Sequence, residues 1–211
     1  MHLLLDSSGA ELVCALADAE GVIAENRLPS GSGEARDISA VAGPLLGEKL
    51  PRDLDGIVAG LGPGSFIGTR VALSFANGLG ATGDVPLLGV NSLAATGTVY
   101  GGGRGVVMRD ARRGEVYCYG PAGHEPECRL LALDDLETEL GRLMIGSVVI
   151  EQPSPHYPNA AQVLRTIMAA AAAAGAVTVE CSGVPAEGLR RAGQAAQPVD
   201  YLEPVYLRGF L

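Results

Sequence analysis

The sequence predicts an α/β protein made of two similar units, each with a mixed sheet covered by helices. Three observations carry this. Strand-like runs precede helical ones in both halves of the 211 residues, the pattern of helices packed on a sheet. Each half opens on a meander, which needs antiparallel pairs, and continues with alternating strands and helices, which need parallel ones. The chain is 47% hydrophobic, yet only 4% is aromatic and Trp is absent, so its cores rest on Leu, Val, Ile and Ala.

The elements follow in order. His2–Asp6 is a short apolar strand, Ser7-Ser8-Gly9 a turn, and Glu11–Ala17 and Gly21–Leu28 complete a three-strand meander. Pro29–Gly33 is a polar loop. Over Ala35–Lys49, Ile38, Val41, Ala42 and Leu45 recur at helical spacing, and Pro44 is expected to kink the helix or start a new turn. Asp55–Gly60 reads as a buried strand, followed by the glycine-rich loop Gly60–Gly68 and a helix over Thr69–Ala81. Pro86–Val90 is a strand, with Asn91 or Ser92 capping the next helix. Gly101-Gly102-Gly103 marks the best boundary, dividing the chain into units 1–103 and 104–211, the last residues returning to the first. In the second unit, Gly105–Arg109 and Glu115–Tyr119 are strands around a turn at Ala111–Gly114. A further strand lies near Arg129–Ala132, a helix over Asp134–Leu143, a strand at Ser147–Ile150 and the longest helix over Asn159–Ala174.

Charge and cysteine usage narrow the class of function. The net charge is −9, which disfavours direct binding to a nucleic-acid backbone, since Lys and Arg supply most phosphate affinity. Met1–Leu5 runs straight into Asp6, too short for a signal peptide, and no run approaches a membrane span; a cytoplasmic protein is expected. Cys14, Cys118, Cys128 and Cys181 form no CxxC pair and read as reduced core residues. His2, His124 and His156 are far apart, so no histidine metal site is expected.

The loop Gly62-Pro63-Gly64-Ser65-Phe66-Ile67-Gly68 is the most informative segment. A phosphate-binding P-loop fails: five residues separate Gly62 from Gly68, and Thr69-Arg70 stands where Lys-Ser/Thr belongs. A dinucleotide fingerprint is one residue too long, although Asp84 lies twenty residues past Gly64, about where a ribose-binding acid is expected. A glycine turn that lets strand and helix pack tightly is the plainest reading.

Taken with other segments, the loop has a sharper reading. Gly62-Pro63-Gly64-Ser65-Phe66, Gly68, Arg70 and Gly78-Leu79 resemble the GPGSFTGxRxG…GLA signature of the TsaB (YeaZ) family. Leu5-Asp6-Ser7-Ser8 resembles its opening IDTS, and Pro86–Leu93 its PLVGVSSL. Asp110–Tyr117 resembles its DARxxEVY, and Pro204–Arg208 its terminal PxYLR. The resemblance implies a two-lobed fold of the actin, Hsp70 and sugar-kinase (ASKHA) type with ribonuclease H-like units. It also implies a non-catalytic scaffold in the bacterial complex that makes threonylcarbamoyladenosine in tRNA. Such a subunit pairs with the metal-bearing TsaD subunit, is joined by the TsaE ATPase, touches tRNA only indirectly and forms a homodimer when alone. It has no cofactor of its own, the subunit interface being the place where ATP could bind. The family docks its partner through the first two helices, which points to Ile38, Val41, Leu45, Arg70, Leu73, Ser74 and Asn77 as an exposed patch; the same apolar residues are also those expected to face their own sheet.

Departures from the family pattern are local. Ile67 stands where Thr is usual, Asn77 where Lys is common, and Ile38-Ser39 where the family has His-Ser. A second class of function, a small ATP-binding phosphotransferase or hydrolase of the same fold, would use Asp6, Ser7, Gly62 and Gly64. Asp6 stands where kinase-type members of the fold place an acid near the nucleotide's metal, and Asp and Ser are also simple turn formers.

Overall fold

The computed structural model describes residues 1–30, 38–101, 105–122, 125–154 and 157–207. The Pro29–Gly33 loop, the first residues of the expected first helix, the triple-glycine boundary, His124, His156 and Arg208 lie wholly or partly outside the described residues.

The first meander forms as β1 (His2–Asp6), β2 (Glu11–Ala17) and β3 (Val22–Pro29), each antiparallel to the next. Helix α1 covers Ile38–Leu46 and ends two residues past Pro44, whose ring cannot donate to the preceding turn. Strand β4 (Gly56–Gly60) pairs parallel with β1, and β5 (Leu87–Val90) parallel with β4. Between them runs α2 (Phe66–Gly83), three residues earlier in start than its periodicity predicts because Ser65 caps it, accepting from the Gly68 N–H at 3.2 Å. At 18 residues it is longer than α5 (Ala160–Ala173), which corrects the expectation that the alanine-rich helix is the longest. Asn91 caps α3 (Ser92–Tyr100), accepting from the Ala94 N–H at 2.9 Å.

The second half repeats this order. β6 (Gly105–Arg112), β7 (Glu115–Ala122) and β8 (Glu125–Ala132) form a meander, α4 (Leu136–Leu143) follows, and β9 (Ser147–Glu151) and β10 (Val177–Cys181) extend the sheet in parallel on either side of α5. The sheets run β11-β5-β4-β1-β2-β3 and β10-β9-β6-β7-β8. Apart from β11 (Pro198–Val199), each strand of one has its counterpart in the other. Three late elements escape sequence reading: β10, α6 (Ala186–Gly193) and β11. Of these α6 and β11 return to the first sheet.

Period-2 alternation explains the layering. Leu3, Leu5, Leu12, Cys14, Ile57 and Ala59 face α1 and α2, while Leu4, Val13, Ala15, Val58 and Val90 face α3 and α6. In the second sheet Val106, Met108, Val148 and Ile150 face α4 and α5, and Val107 and Val149 meet Leu93 of α3. Helix α3 therefore lies between the two sheets and packs on both. All four cysteines are free, three of them buried, and burial pushes the thiols of Cys14, Cys118 and Cys181 up to about 12.

Candidate functional site

Two regions draw the candidate residues together: a cleft between the sheets, and the outer face of α2. The cleft, about 570 Å³, is walled by the β1–β2 turn, the glycine loop, the β6–β7 turn and the end of β9. Its size is that of a small-molecule site. Its floor is a buried polar network.

Asp6 is fully buried at the end of β1. Its carboxylate accepts from the Ser8 N–H at 2.9 Å, the Ser8 hydroxyl at 2.8 Å and the Ser92 hydroxyl. The Ser92 oxygen in turn accepts from the Gly62 N–H at 3.0 Å, while the Ser92 N–H donates to the Gly62 carbonyl at 2.9 Å. Both Asp6 oxygens are thus committed inside the chain, and neither faces the cleft. Ser7, also buried, donates to the Gly68 carbonyl. Asp6, Ser7 and Gly62 thus staple the β1–β2 turn to the glycine loop and to α3, and Gly64 packs its backbone against Ser8.

The glycines have the same origin. A β-carbon at Gly60 would lie inside 3 Å of an Asp6 oxygen, one at Gly64 inside 3 Å of the Ser8 carbonyl, and one at Gly68 inside 3 Å of the Ser7 carbonyl. Gly62 takes φ +86, which side chains disfavour. The loop is glycine-rich because backbone packs on backbone there. Asp84, the candidate ribose acid, ends α2 in a left-handed conformation, roughly 27 Å along the helix from its start at 1.5 Å per residue.

Sequence reading missed the centre of the cleft floor. Arg109 is 5% exposed and Glu151 1%. Arg109 Nε and Nη2 donate to Glu151 Oε2 at 2.8 and 2.6 Å, and Nη1 donates to Ser8 Oγ and to the Pro63 carbonyl, both at 2.7 Å. Burial pushes the Glu151 carboxyl above its ordinary value, and the Arg109 guanidinium pulls against it. Glu151 Oε1 is buried without a hydrogen-bond partner. Arg109 sits at the end of an apolar run and Glu151 closes another, so only their pairing across β6 and β9, in register, reveals them.

The expected docking patch divides in two. Ile38, Val41 and Leu73 are buried at 7%, 5% and 2%, and pack with β1, β2 and β4; Leu45 is half-buried against the same core. This corrects the expectation of an exposed apolar patch through them: the sheet below needs that side of both helices as its cover. Arg70 and Ser74 are exposed, and with Ile67 and Gly78 they form a stripe down the outer face of α2. Asn77 is half-buried and bonds both ways to the Leu202 backbone, at 3.1 and 2.9 Å. It ties down the C-terminal tail, and the tail brings Tyr206 to Arg70. The Arg70 guanidinium lies 3.7 Å over the Phe66 ring and donates from Nε to the Tyr206 hydroxyl at 2.8 Å. Phe66, Ile67 and Tyr206 are 43%, 74% and 39% exposed. These three are the apolar part of the face; sequence reading missed them because it left Phe66 and Ile67 in the glycine loop and began the helix at Thr69. Beside them α1 presents Ser39, Ala40, Gly43 and Pro44.

Comparison with known proteins fits this architecture. The family model for tRNA N6-adenosine threonylcarbamoyltransferase (TsaD) matches residues 48–208, well over half of the chain. The chain belongs to this family. Within it, the chain goes with the TsaB (YeaZ) group. It is 34% identical over 120 residues to the Bacillus subtilis tRNA threonylcarbamoyladenosine biosynthesis protein TsaB, and 39% identical over 86 residues to that of Escherichia coli. The matched stretches cover 54% and 39% of this chain but 52% and 35% of those relatives. YeaZ from Pseudomonas aeruginosa superposes on 98% of this chain and 99% of its own with a TM-score of 0.66, at 20% identity. The fold is therefore the two-lobed ASKHA type. No described helix is long and apolar enough to cross a membrane.

Proposed function

We propose that this TsaB/YeaZ-type chain is a non-catalytic subunit of the machinery that forms threonylcarbamoyladenosine in tRNA. It docks a TsaD-like catalytic subunit on the outer face of α1 and α2 and supports recruitment of a TsaE-like ATPase. The observation that carries this reading is the kinship with relatives whose names assign them to that biosynthesis.

Several features support the division of labour. The sequence holds no HxxxH or HExxH spacing, the pattern that would favour a histidine metal centre. Asp6 spends its oxygens on Ser8 and Ser92. A chain of charge −9 gains little from phosphates, so tRNA is met through the partner. Any ATP lies between subunits, and the complex works in the cytoplasm. The face itself has the composition of an interface centre, with aromatic side chains and an arginine over apolar surface. Left without its partner, the same face pairs two copies of this chain.

The test is recovery of the tagged chain from its own host. A TsaD-like subunit at near-equimolar yield is expected, and Arg70→Glu or Ser74→Arg should abolish its recovery while the chain stays folded by circular dichroism. Recovery of this chain alone, or full retention of the partner by both variants, would overturn the reading.

A further inference from the structure

Among the described residues, the two lobes meet over one buried cation. Arg109 leaves β6 of the second lobe and its guanidinium reaches the first, where Nη1 donates to the Ser8 hydroxyl and the Pro63 carbonyl at 2.7 Å each. Its other two nitrogens, Nε and Nη2, donate to Glu151 Oε2 on the neighbouring strand β9. One side chain therefore spans the β1–β2 turn, the glycine loop and the second sheet. The guanidinium cannot lose its proton at any ordinary pH, and its planar fork suits several fixed acceptors at once.

Glu151 completes the arrangement from the other side. Its free oxygen Oε1 is pressed against Gly9, where a β-carbon would lie inside 3 Å of it. The carboxylate cannot swing away without releasing Arg109. We propose that Arg109 and Glu151 form a clamp that holds the cleft in one closed geometry with no ligand in it. The angle between the lobes is then a fixed property of the chain, set by an internal cation. The clamp also supports Ser65, whose N–H donates to the Ser8 carbonyl at 2.7 Å and whose hydroxyl caps α2. Closure of the cleft and order at the first turn of α2 are thereby linked.

Among the described residues, two further side-chain hydrogen bonds join the halves of the chain along this edge. The Ser182 hydroxyl donates to Glu11 at 3.2 Å, and Arg27 donates to the Val184 carbonyl at 3.1 Å. Both lie on exposed or part-buried surface, where such bonds are weak. The remaining joint is α3, packed between the sheets, about which the lobes pivot once the clamp is gone.

Two variants test the clamp from opposite sides. The double exchange Arg109→Met with Glu151→Met removes it without leaving a buried charge alone, the change that buried ion pairs tolerate best. Gly9→Ala leaves both charged residues in place and pushes Glu151 off its seat. Spin labels on Glu20→Cys in the first lobe and Arg165→Cys in the second, both exposed and off the α1–α2 face, read the distance between lobes, with labelled chain diluted into excess unlabelled chain so that only distances within one copy are seen. The parent chain should give one narrow distance distribution. Each variant should give a distribution at least twofold wider and shifted to longer distance, with its circular dichroism retained. Unchanged distributions in both variants overturn the proposal. So does loss of fold in both, since the pair would then be core structure and not a clamp.

Discussion

Replacing Asp6 by Ala separates the two roles offered for this residue. The substitution strands three buried donors: the Ser8 N–H, the Ser8 hydroxyl and the Ser92 hydroxyl. Bonds to a charged acceptor contribute about 1.5–3 kcal/mol each, and a buried donor left unpaired costs about 1–3 kcal/mol. Ser92 and Ser8 can turn toward other acceptors, and removing the carboxylate relieves its own desolvation, so the net loss falls to about 3–5 kcal/mol. For a chain of this size that lowers the melting temperature by on the order of 10 °C or more. Asp6→Asn keeps the shape and one acceptor and should lose roughly half as much. Urea denaturation followed by circular dichroism measures both. A stability change below about 0.5 kcal/mol in Asp6→Ala would refute the staple, because surface-like tolerance is incompatible with three stranded buried donors. Micromolar ATP binding that vanishes in Asp6→Ala at unchanged stability would return the residue to a nucleotide role.

Three further outcomes follow from the same geometry. Gly68→Ala sets a β-carbon against the Ser7 carbonyl and should cost about 2–4 kcal/mol; equilibrium unfolding within 0.5 kcal/mol of the parent contradicts the close approach. Cys14, Cys118 and Cys181 have thiols raised to about 12 by burial, so a thiol reagent at pH 8 should label no more than the half-buried Cys128 in the native chain and all four after unfolding. Fast native labelling of two or more contradicts the core. The Glu187 carboxyl is drawn down to about 2 by hydrogen bonds from Arg190 and Arg191 at 2.7–2.8 Å. Its folded value lies below its unfolded one, so its contribution to α6 is present above about pH 4.5 and fades as pH falls toward 2, amounting to no more than about 1 kcal/mol for so exposed a group. An NMR titration of its side chain with a midpoint near 4.3 would contradict the pairing.

Legibility in the sequence followed the strength of the local signal. The two meanders, the strand–loop–helix unit and α5 announce themselves because apolar period and turn residues agree there. Helix α6 does not: in Ala186-Glu187-Gly188-Leu189-Arg190-Arg191 only Ala186, Gly188 and Leu189 are apolar or small and buried, and its order comes from packing on the first sheet. Strand β10 lies outside the reading for a related reason, since Val177 and Glu180 are exposed and Thr178 and Val179 only half-buried. The site shows the same division. The glycine loop and Asp6-Ser7-Ser8 were visible as motifs, yet what they touch was not, because Arg109 and Glu151 reach them from more than forty residues away. The helices expected to dock a partner stood out through resemblance, while the side of each helix that faces outward depended on which residues the sheet claimed. Ile38, Val41 and Leu73 went to the core, and Phe66, Ile67 and Tyr206 took their place on the surface.

The most direct measurement is the affinity of this chain for the TsaD-like subunit of its own host, with Ile67→Glu, Arg70→Glu and Ser74→Arg set beside the parent chain. Each substitution lies on exposed helix surface, so folding should be preserved. A one-to-one complex weakened at least tenfold by each substitution is the predicted result, since a charge placed or reversed at an interface centre costs on the order of 1.4 kcal/mol or more. Equal affinity for all four chains, or no complex with the parent, would contradict the account.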